Sequence, residues 1–436
     1  MSRVKSMRKW SGTLLALAFL AICAPSIAAV QPGDFITPDK AAQVKDLVSP
    51  GVFYKVERGM TMKIIAPQRV DWPPPYKDAT EKYSGQVRLT GDGRSLLGYV
   101  AGQPFPLLDP NDPHMATKII WNNVFRPITS DDYDLRFYDC DSSYTRRGEQ
   151  QSQVAYFQIG HYAGYALVGR TEVEPMPVDP DFKQTGRLWA FGLYPVLAPN
   201  EIRGTGFIRW RYLDPNKADD TWSLNRGARR VRRVHDAMLS SAVTSGTSAQ
   251  SWDPDHYSGF NAKTENYDYK YLGEKSMLAS VHAEHSPEIR CKTDGGASAC
   301  PEAWEMRHMY IVSAKPRRTM GQNAGALHGE TLIYMDSEVW FEPYIDTYDR
   351  SGQLFQNHIY WLATRDRPVP DARIAIYPFK RSFVVGAVST DVQSGLATMC
   401  YLPGTETPER ECWYINMGAV DKNFFTTNAM VSAASF

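Results

Sequence analysis

A chain of 436 residues can bury a core of useful size and has room for one large domain or two modest ones. Its 48 Lys and Arg balance 48 Asp and Glu, which excludes bulk electrostatic binding to nucleic acid, so any basic function is local. The 12% aromatic share, with 11 Trp and 24 Tyr, favours strands and half-wet surfaces that meet ligands.

The first residues read as an export signal. Arg3, Lys5, Arg8 and Lys9 precede an apolar run from Leu14 to Ala24, and Ser26-Ile27-Ala28 supplies small residues for cleavage. Residues 1–28 are therefore expected to be removed, leaving one large domain over 29–436 in the periplasm, with peripheral outer-membrane association open to it. In Leu20-Ala21-Ile22 the bulky Ile22 stands where a lipobox before Cys23 needs Gly or Ala, which argues against a lipid anchor. In the section 29–120, rich in helix and loop signals, Thr37 and Pro38 predict a short helix that Pro50-Gly51 ends. Val52 to Ile65 reads as one or two strands broken at Gly59, and Trp72 to Tyr76 as a stiff extended connector. Asp78 to Tyr83 can start a helix; the Gly/Pro-dense loop Gly98 to Pro113 is expected to tuck Phe105 and Leu107 inward.

From Lys118 onward strand signals dominate. Phe137 to Tyr144, Tyr156 to Tyr165 and Arg187 to Leu197 are rich in aromatic and β-branched residues between turn signals. Trp304 to Ala314, Leu332 to Phe341 and Ile345 to Trp361 form a meander, with a hairpin turn at Asp349-Arg350-Ser351-Gly352. Phe383 to Val388 and Cys412 to Met417 add short strands. The fold class is α+β, a mostly antiparallel sheet with a few short helices. Cys291 with Cys300 and Cys400 with Cys412 have spacings suited to local disulfides, which leaves Cys140 as a buried thiol.

The stretch from Glu201 to Asp236 is the most unusual. In Gly206 to Leu213 the residues Ile208, Trp210 and Tyr212 fall on one face, and Phe207, Arg209 and Arg211 on the other. After the turn at Asp214-Pro215-Asn216-Lys217, Trp222 and Leu224 begin a return that carries Arg226, Arg229, Arg230, Arg232 and Arg233. Guanidiniums on both faces of one strand need partners, an aqueous edge, or something anionic beside them. The candidate ligand-binding residues are thus Arg209, Trp210, Arg211, Tyr212, Trp222, Arg229, Arg230, Arg232 and Arg233. A salt-bridge network, a head-group site and a docking surface for a membrane partner all fit this pattern.

W-x-L followed by R-R-V-R-R, with R-Y-x-D-P before it, resembles the DUF1329 family of Gram-negative envelope proteins, related to the LolA/LolB lipoprotein carriers. Matching landmarks at Tyr76 to Ala79, Tyr99 to Pro106, Lys118 to Asn122, Leu167 to Gly169 and Tyr348 to Gly352 spread the resemblance over nearly the whole mature chain. Where that pattern has a proline ahead of the arginines, this chain has Asn225-Arg226-Gly227-Ala228. The resemblance implies a curved sheet forming an open half-barrel, with helices on its concave side over an apolar hollow for a lipid or other amphiphile. Trp210, Tyr212, Trp222 and Trp340 are candidates to line that hollow. It also implies work beside an inner-membrane exporter of the resistance-nodulation-division type and an outer-membrane protein.

Signals for catalysis are thin. Gly93 to Gly98 misses the nucleophile-elbow spacing, and no Gly-rich phosphate cradle opens a helix. His282-Ala283-Glu284-His285 is the densest metal-like cluster, but it supplies no predictable third ligand and reads as a polar loop, so no metal or cofactor is expected. Asp336, Glu338, Glu342, Asp346 and Asp349 could supply the two carboxylates of a glycosidase; the plainer reading has them neutralising the arginines across the sheet. The expected function is a non-enzymatic periplasmic carrier of a hydrophobic ligand. A periplasmic hydrolase and a ligand-free envelope scaffold are the alternatives.

Overall fold

The computed structural model describes residues 30–128, 131–144, 153–225, 230–234, 256, 259–283, 302–317, 328–367, 376–401 and 413–433. The strands in chain order begin with β1 (Phe35–Ile36), β2 (Met62–Ile64), β3 (Arg88–Leu89) and β4 (Leu96–Leu97). Then come β5 (Asp132–Tyr144), β6 (Gln153–Ala166), β7 (Arg187–Ala198), β8 (Gly206–Tyr212), β9 (Asp220–Asn225) and β10 (Arg230–Val234). The later half adds β11 (Tyr267–Ala279), β12 (Glu302–Pro316), β13 (His328–Asp336), β14 (Tyr344–Asp349) and β15 (Leu354–Arg365). Last are β16 (Arg381–Asp391), β17 (Leu396–Tyr401) and β18 (Trp413–Ile415).

All but β3 and β4 join one sheet, ordered β1-β2-β12-β13-β14-β15-β16-β17-β5-β6-β7-β8-β9-β10, with β11 also on β12 and β18 on β5. Its pairings are antiparallel except where β2 runs parallel to β12. The sheet is not closed: β1 lies at one end of this path and β10 at the other. The meander and the turn at Asp349 to Gly352 form as expected, joining β14 to β15.

The α-helices are short: α1 (Pro50–Val56), α2 (Pro74–Tyr83), α3 (Met115–Val124), α4 (Pro180–Thr185) and α5 (Thr427–Ala433). Three N-terminal expectations change. Pro50 starts a helix instead of ending one, because proline at the first position has no N–H to lose and Ser49 accepts from the Val52 amide at 3.2 Å. The strand reading of Val52 onward therefore fails until β2, and the Trp72 to Tyr76 connector turns helical at Pro74 for the same reason. Lys118 to Val124 is helical too; its β-branched residues pack an apolar helix face into the core. Phe105 is buried as expected, whereas Leu107 is 89% exposed.

Both faces of the sheet are covered. Asp346 bonds α1, and Met335, of opposite parity across the Leu332–Asp346 and Ile333–Ile345 pairs, touches Asn123 of α3. The face under α3 holds the main core, which runs from Phe207 and Phe191 through Tyr162 and Tyr360 to Val312. At the β10 end the opposite face has a second core, made by Ala163, Ala190, Ile208, Trp210 and Leu224 with Phe425 and Met430 from the chain's last elements. Gly164 is needed on the main-core face: a Cβ would meet the Tyr133 ring at 2.2 Å, so its absence lets that ring lie across β6.

The expected Cys400–Cys412 bond is corrected. Cys400 is bonded to Cys140, its direct cross-strand partner on β5, so Cys140 is not a free thiol. The sequence hid this because 260 residues separate the two, and only the β17–β5 pairing brings them together. Cys291, Cys300 and Cys412 lie outside the described residues.

Candidate functional site

The alternation read in β8 decides where each candidate residue goes. All seven residues of this strand are buried, so each face meets a different environment. Ile208 and Trp210 point into the second core, where the C-terminal segment covers them, and Tyr212 donates its hydroxyl to Asp220. The Trp210 indole donates to the Phe425 carbonyl at 2.9 Å and meets its ring edge-on at 6.0 Å. Trp222, paired with Ile208 across β8–β9, shares this face and is half-buried.

Between this strand pair and residues 422–427 lies a pocket of about 350 Å³. Leu167, Ile208, Trp210, Trp222 and Phe425 give it apolar walls. Two cations join them. The Arg187 guanidinium stacks 4.6 Å from the Trp210 ring centre, and Lys422 bonds Asp181 at 2.5 Å, with Asp179 at 3.8 Å. Lys422 thus meets carboxylates, whereas Arg187 rests on an indole and on the Tyr212 hydroxyl at 3.5 Å. An indole wall, aliphatic walls and a guanidinium suit a ligand with an apolar body and an anionic end.

Phe207, Arg209 and Arg211 point the other way. Arg211 donates two N–H groups to Asp219 Oδ2 at 2.9 and 2.8 Å and a third to the Asn261 carbonyl at 2.5 Å, over the Trp189 ring at 4.7 Å. Arg209 lies 5.4 Å from the Phe191 ring centre. Protein side chains largely fill this face, whereas Trp210 and Trp222, expected to line the hollow, lie on the opposite one. A cavity of about 80 Å³ remains beside Arg126, Tyr133, Tyr162 and Phe191, and another of about 30 Å³ beside Arg211, Phe260 and Lys263. Both are far below the roughly 300–1,000 Å³ of small-ligand sites.

The five candidate arginines that fall on described residues are not one cluster. Arg209 and Arg211 are buried, while Arg230, Arg232 and Arg233 are exposed on the last strand of the sheet. Arg233 pairs with Asp220, which also accepts from the Tyr212 hydroxyl. Arg229 lies outside the described residues. Sequence reasoning missed Arg187, Lys422 and Phe425, since nothing in the local pattern says that residues 422–427 fold back over β8.

Among the described residues the five carboxylates do not pair with the candidate arginines; Asp336 and Glu338 bind Arg307, and Asp346 binds the N-terminal segment. Arg307 binds Asp336 at 2.7 and 3.2 Å and Glu338 at 2.9 Å; although burial opposes it, Asp336 holds the guanidinium more firmly protonated than usual. Glu338 also accepts from the Val70 amide, and Glu305 in the same network bonds His282 at 2.5 Å. Glu284 and His285 lie outside the described residues. Glu342 is buried, which raises its pKa, and accepts from Asn123 at 2.5 Å and from the Phe260 amide. Asp346 is pushed up to about 6 by burial, although the Gly51 amide, Asn357 and Ser49 all donate to it. Asp349 sits in the exposed turn, where the Ser351 hydroxyl holds it down at about 2. None of the five lines the three cavities described here.

A family model described as a protein of unknown function, DUF1329, matches residues 35–431. The chain belongs to the DUF1329 family. A DUF1329 protein from Desulfovibrio piger is similar in structure at 14% identity and TM-score 0.41, covering 69% of this chain and 92% of that one. A candidate outer membrane lipoprotein-sorting domain from Vibrio parahaemolyticus is similar at 14% identity and TM-score 0.44, covering 72% of this chain and 97% of that one. A LolA-superfamily protein from Nitrosomonas europaea is similar at 10% identity and TM-score 0.33, covering 69% and 92%. No curated protein matches the chain. The DUF1329 chain has no helix long and apolar enough to cross a membrane among the described residues.

Proposed function

We propose that this DUF1329 protein is a carrier that binds a lipid or other amphiphile with an anionic end in the pocket between β8, β9 and residues 422–427, and that it works in the Gram-negative periplasm. The observation that carries this reading is the union of apolar walls and a stacked Arg187, which has no carboxylate partner among the described residues, in the roomiest of the three cavities, where Asp181 pairs with Lys422. Moving an acyl chain through water costs about 0.8 kcal/mol per CH₂, so a carrier needs such walls, while a guanidinium selects a carboxylate or phosphate end. An export signal in residues 1–28 fits a periplasmic station, and an exporter of the resistance-nodulation-division type with an outer-membrane protein would be the donor and acceptor. The hydrolase alternative has less support, because Asp336, Glu338, Glu342 and Asp346 are all engaged by protein donors.

The test is a tryptophan-quenching titration of delipidated protein with fatty acids of increasing length. Each added methylene is expected to tighten binding by up to about 0.8 kcal/mol, or fourfold, until the pocket is filled. Replacing Arg187 with Gln should weaken fatty acids and leave the matching fatty alcohols unchanged. Absence of saturable binding by every chain length would refute the carrier reading.

A further inference from the structure

Three buried histidines meet on the face of the sheet that α3 covers. Asn357 bonds Asp346 on the α1 side, so its neighbour His358 on β15 points to the α3 side. There the His256 ring stacks on that of His358 at 4.6 Å and lies 6.0 Å from that of His328 on β13. His256 and Phe260 together cap this spot. The Tyr360 hydroxyl donates to the His256 carbonyl at 2.5 Å, and the Phe260 amide donates to Glu342. The Phe260 ring meets that of His256 at 5.7 Å and that of Tyr267 at 5.2 Å, both edge-on, and it walls the cavity of about 30 Å³. The chain that follows is tied down by other means: Arg211 donates to the Asn261 carbonyl, and Lys263 to the Asp214 and Lys217 carbonyls. The cap can therefore swing from a fixed base.

Positive charge inside this cluster is costly, because burial penalises each imidazolium and two of them at 4.6 Å repel. Burial holds His358 well below the ordinary 6.5, and His256, His328 and Lys55 push it the same way. The elements packed around it bring little relief. Ile345 and Ser389 flank His358 across β14 and β16, and Tyr267 of β11 lies 6.5 Å from His328. Arg126, just past α3, adds another positive charge beside Glu342. The carboxylates of the region are committed: Glu342 to Asn123 and the Phe260 amide, Asp349 to the Ser351 and Gln353 amides, Asp391 to those of Gln393 and Ser394.

We propose that the cluster of His256, His328 and His358 is an acid-sensitive latch, whose protonation drives His256 and Phe260 off the sheet and uncovers the aromatic surface of Tyr267, Phe341 and Tyr360. It lies apart from the ligand pocket and does not rest on the carrier reading. Once uncovered, His358 regains its ordinary 6.5. The balance of closed and open forms is then level above pH 6.5 and shifts towards open as pH falls, by up to about thirtyfold at pH 5 from His358 alone.

The experiment is hydrogen exchange of the whole protein, read by mass spectrometry at about pH 7.5 and about pH 5 and corrected for the intrinsic rate at each. Peptides carrying Phe260 should lose protection by about thirtyfold or more at the lower pH, while those of β14 and β15 keep theirs. His358→Gln should show a change at least about tenfold smaller. Glu342→Gln should keep the wild-type change, because its carboxyl is not the lever. Tyr360→Phe should already be about fivefold less protected at pH 7.5, having lost the bond that holds His256. Equal protection of the wild type at both pH values, an undiminished change in His358→Gln, or its loss in Glu342→Gln would overturn the proposal. So would a Tyr360→Phe protein as protected as the wild type, or an equal loss in β14 and β15, which would mark unfolding of the sheet as a whole.

Discussion

Replacing Asp219 with Ala tests whether Arg211 is a structural clamp or a ligand group. The Arg211 side chain is 8% exposed and that of Asp219 1%, so the substitution leaves a buried guanidinium that keeps the Asn261 carbonyl and the Trp189 ring as its direct contacts among the described residues. Removing one partner of a buried pair costs about 3–5 kcal/mol. Here the lower end is expected, because Glu265 is buried in the same region and takes up part of the uncompensated charge. The cost should appear in urea unfolding as a lower midpoint at unchanged slope. The double variant Arg211→Met, Asp219→Leu should recover to within about 1 kcal/mol of the wild type, since both charges leave the interior together. Fatty-acid affinity should be the same in every folded variant. An Asp219→Ala protein as stable as wild type, with altered ligand affinity, would refute the clamp and return Arg211 to the ligand site.

Two buried groups should give opposite pH signatures. Asp346 rises from the ordinary 3.8 to about 6, so its contribution is full below pH 3.8 and lost as pH rises through 6. The stability difference between wild type and Asp346→Asn, measured by urea unfolding, should fall by about 3 kcal/mol across that window; a flat difference would contradict it. His358, stacked 4.6 Å from His256 and near His328 and Lys55, is held well below 6.5 by burial first and by those neighbours second. Its contribution is present above pH 6.5 and lost as pH falls, so the difference from His358→Gln should stay level above 6.5 and drop below it. The Cys140–Cys400 bond closes a loop of 260 residues, for which chain entropy gives about 5 kcal/mol. The double Ser variant should lose stability on that scale, and non-reducing peptide maps should return the Cys140–Cys400 peptide; recovery of a Cys400–Cys412 peptide would refute the pairing.

Much of the sheet could be read ahead of the structure because strand signals are local. Period-2 runs such as Ile208-Trp210-Tyr212, and the turn residues Asp349 to Gly352, state their conformation within a few positions. The N-terminal prolines misled because proline both stops one helix and starts the next, and only the Ser49 cap decides which happens at Pro50. The candidate site was half legible. The two faces of β8 followed from alternation, but what covers each face depends on segments more than 200 residues away, such as Phe425 against Trp210. The arginines looked like one cluster because they are close in sequence. Strand order separates them, with β8 inside the sheet and β10 at its edge.

The most direct measurement is a photolabelling map with a diazirine fatty acid, read by mass spectrometry of the digested protein. The account predicts labels on peptides carrying Ile208 to Trp222 and Lys422 to Thr427, suppressed by excess unlabelled fatty acid and by Thr427→Trp, which fills the pocket from its rim. Labels centred on Tyr133, Tyr162 and Phe191, or labelling that no competitor reduces, would contradict it.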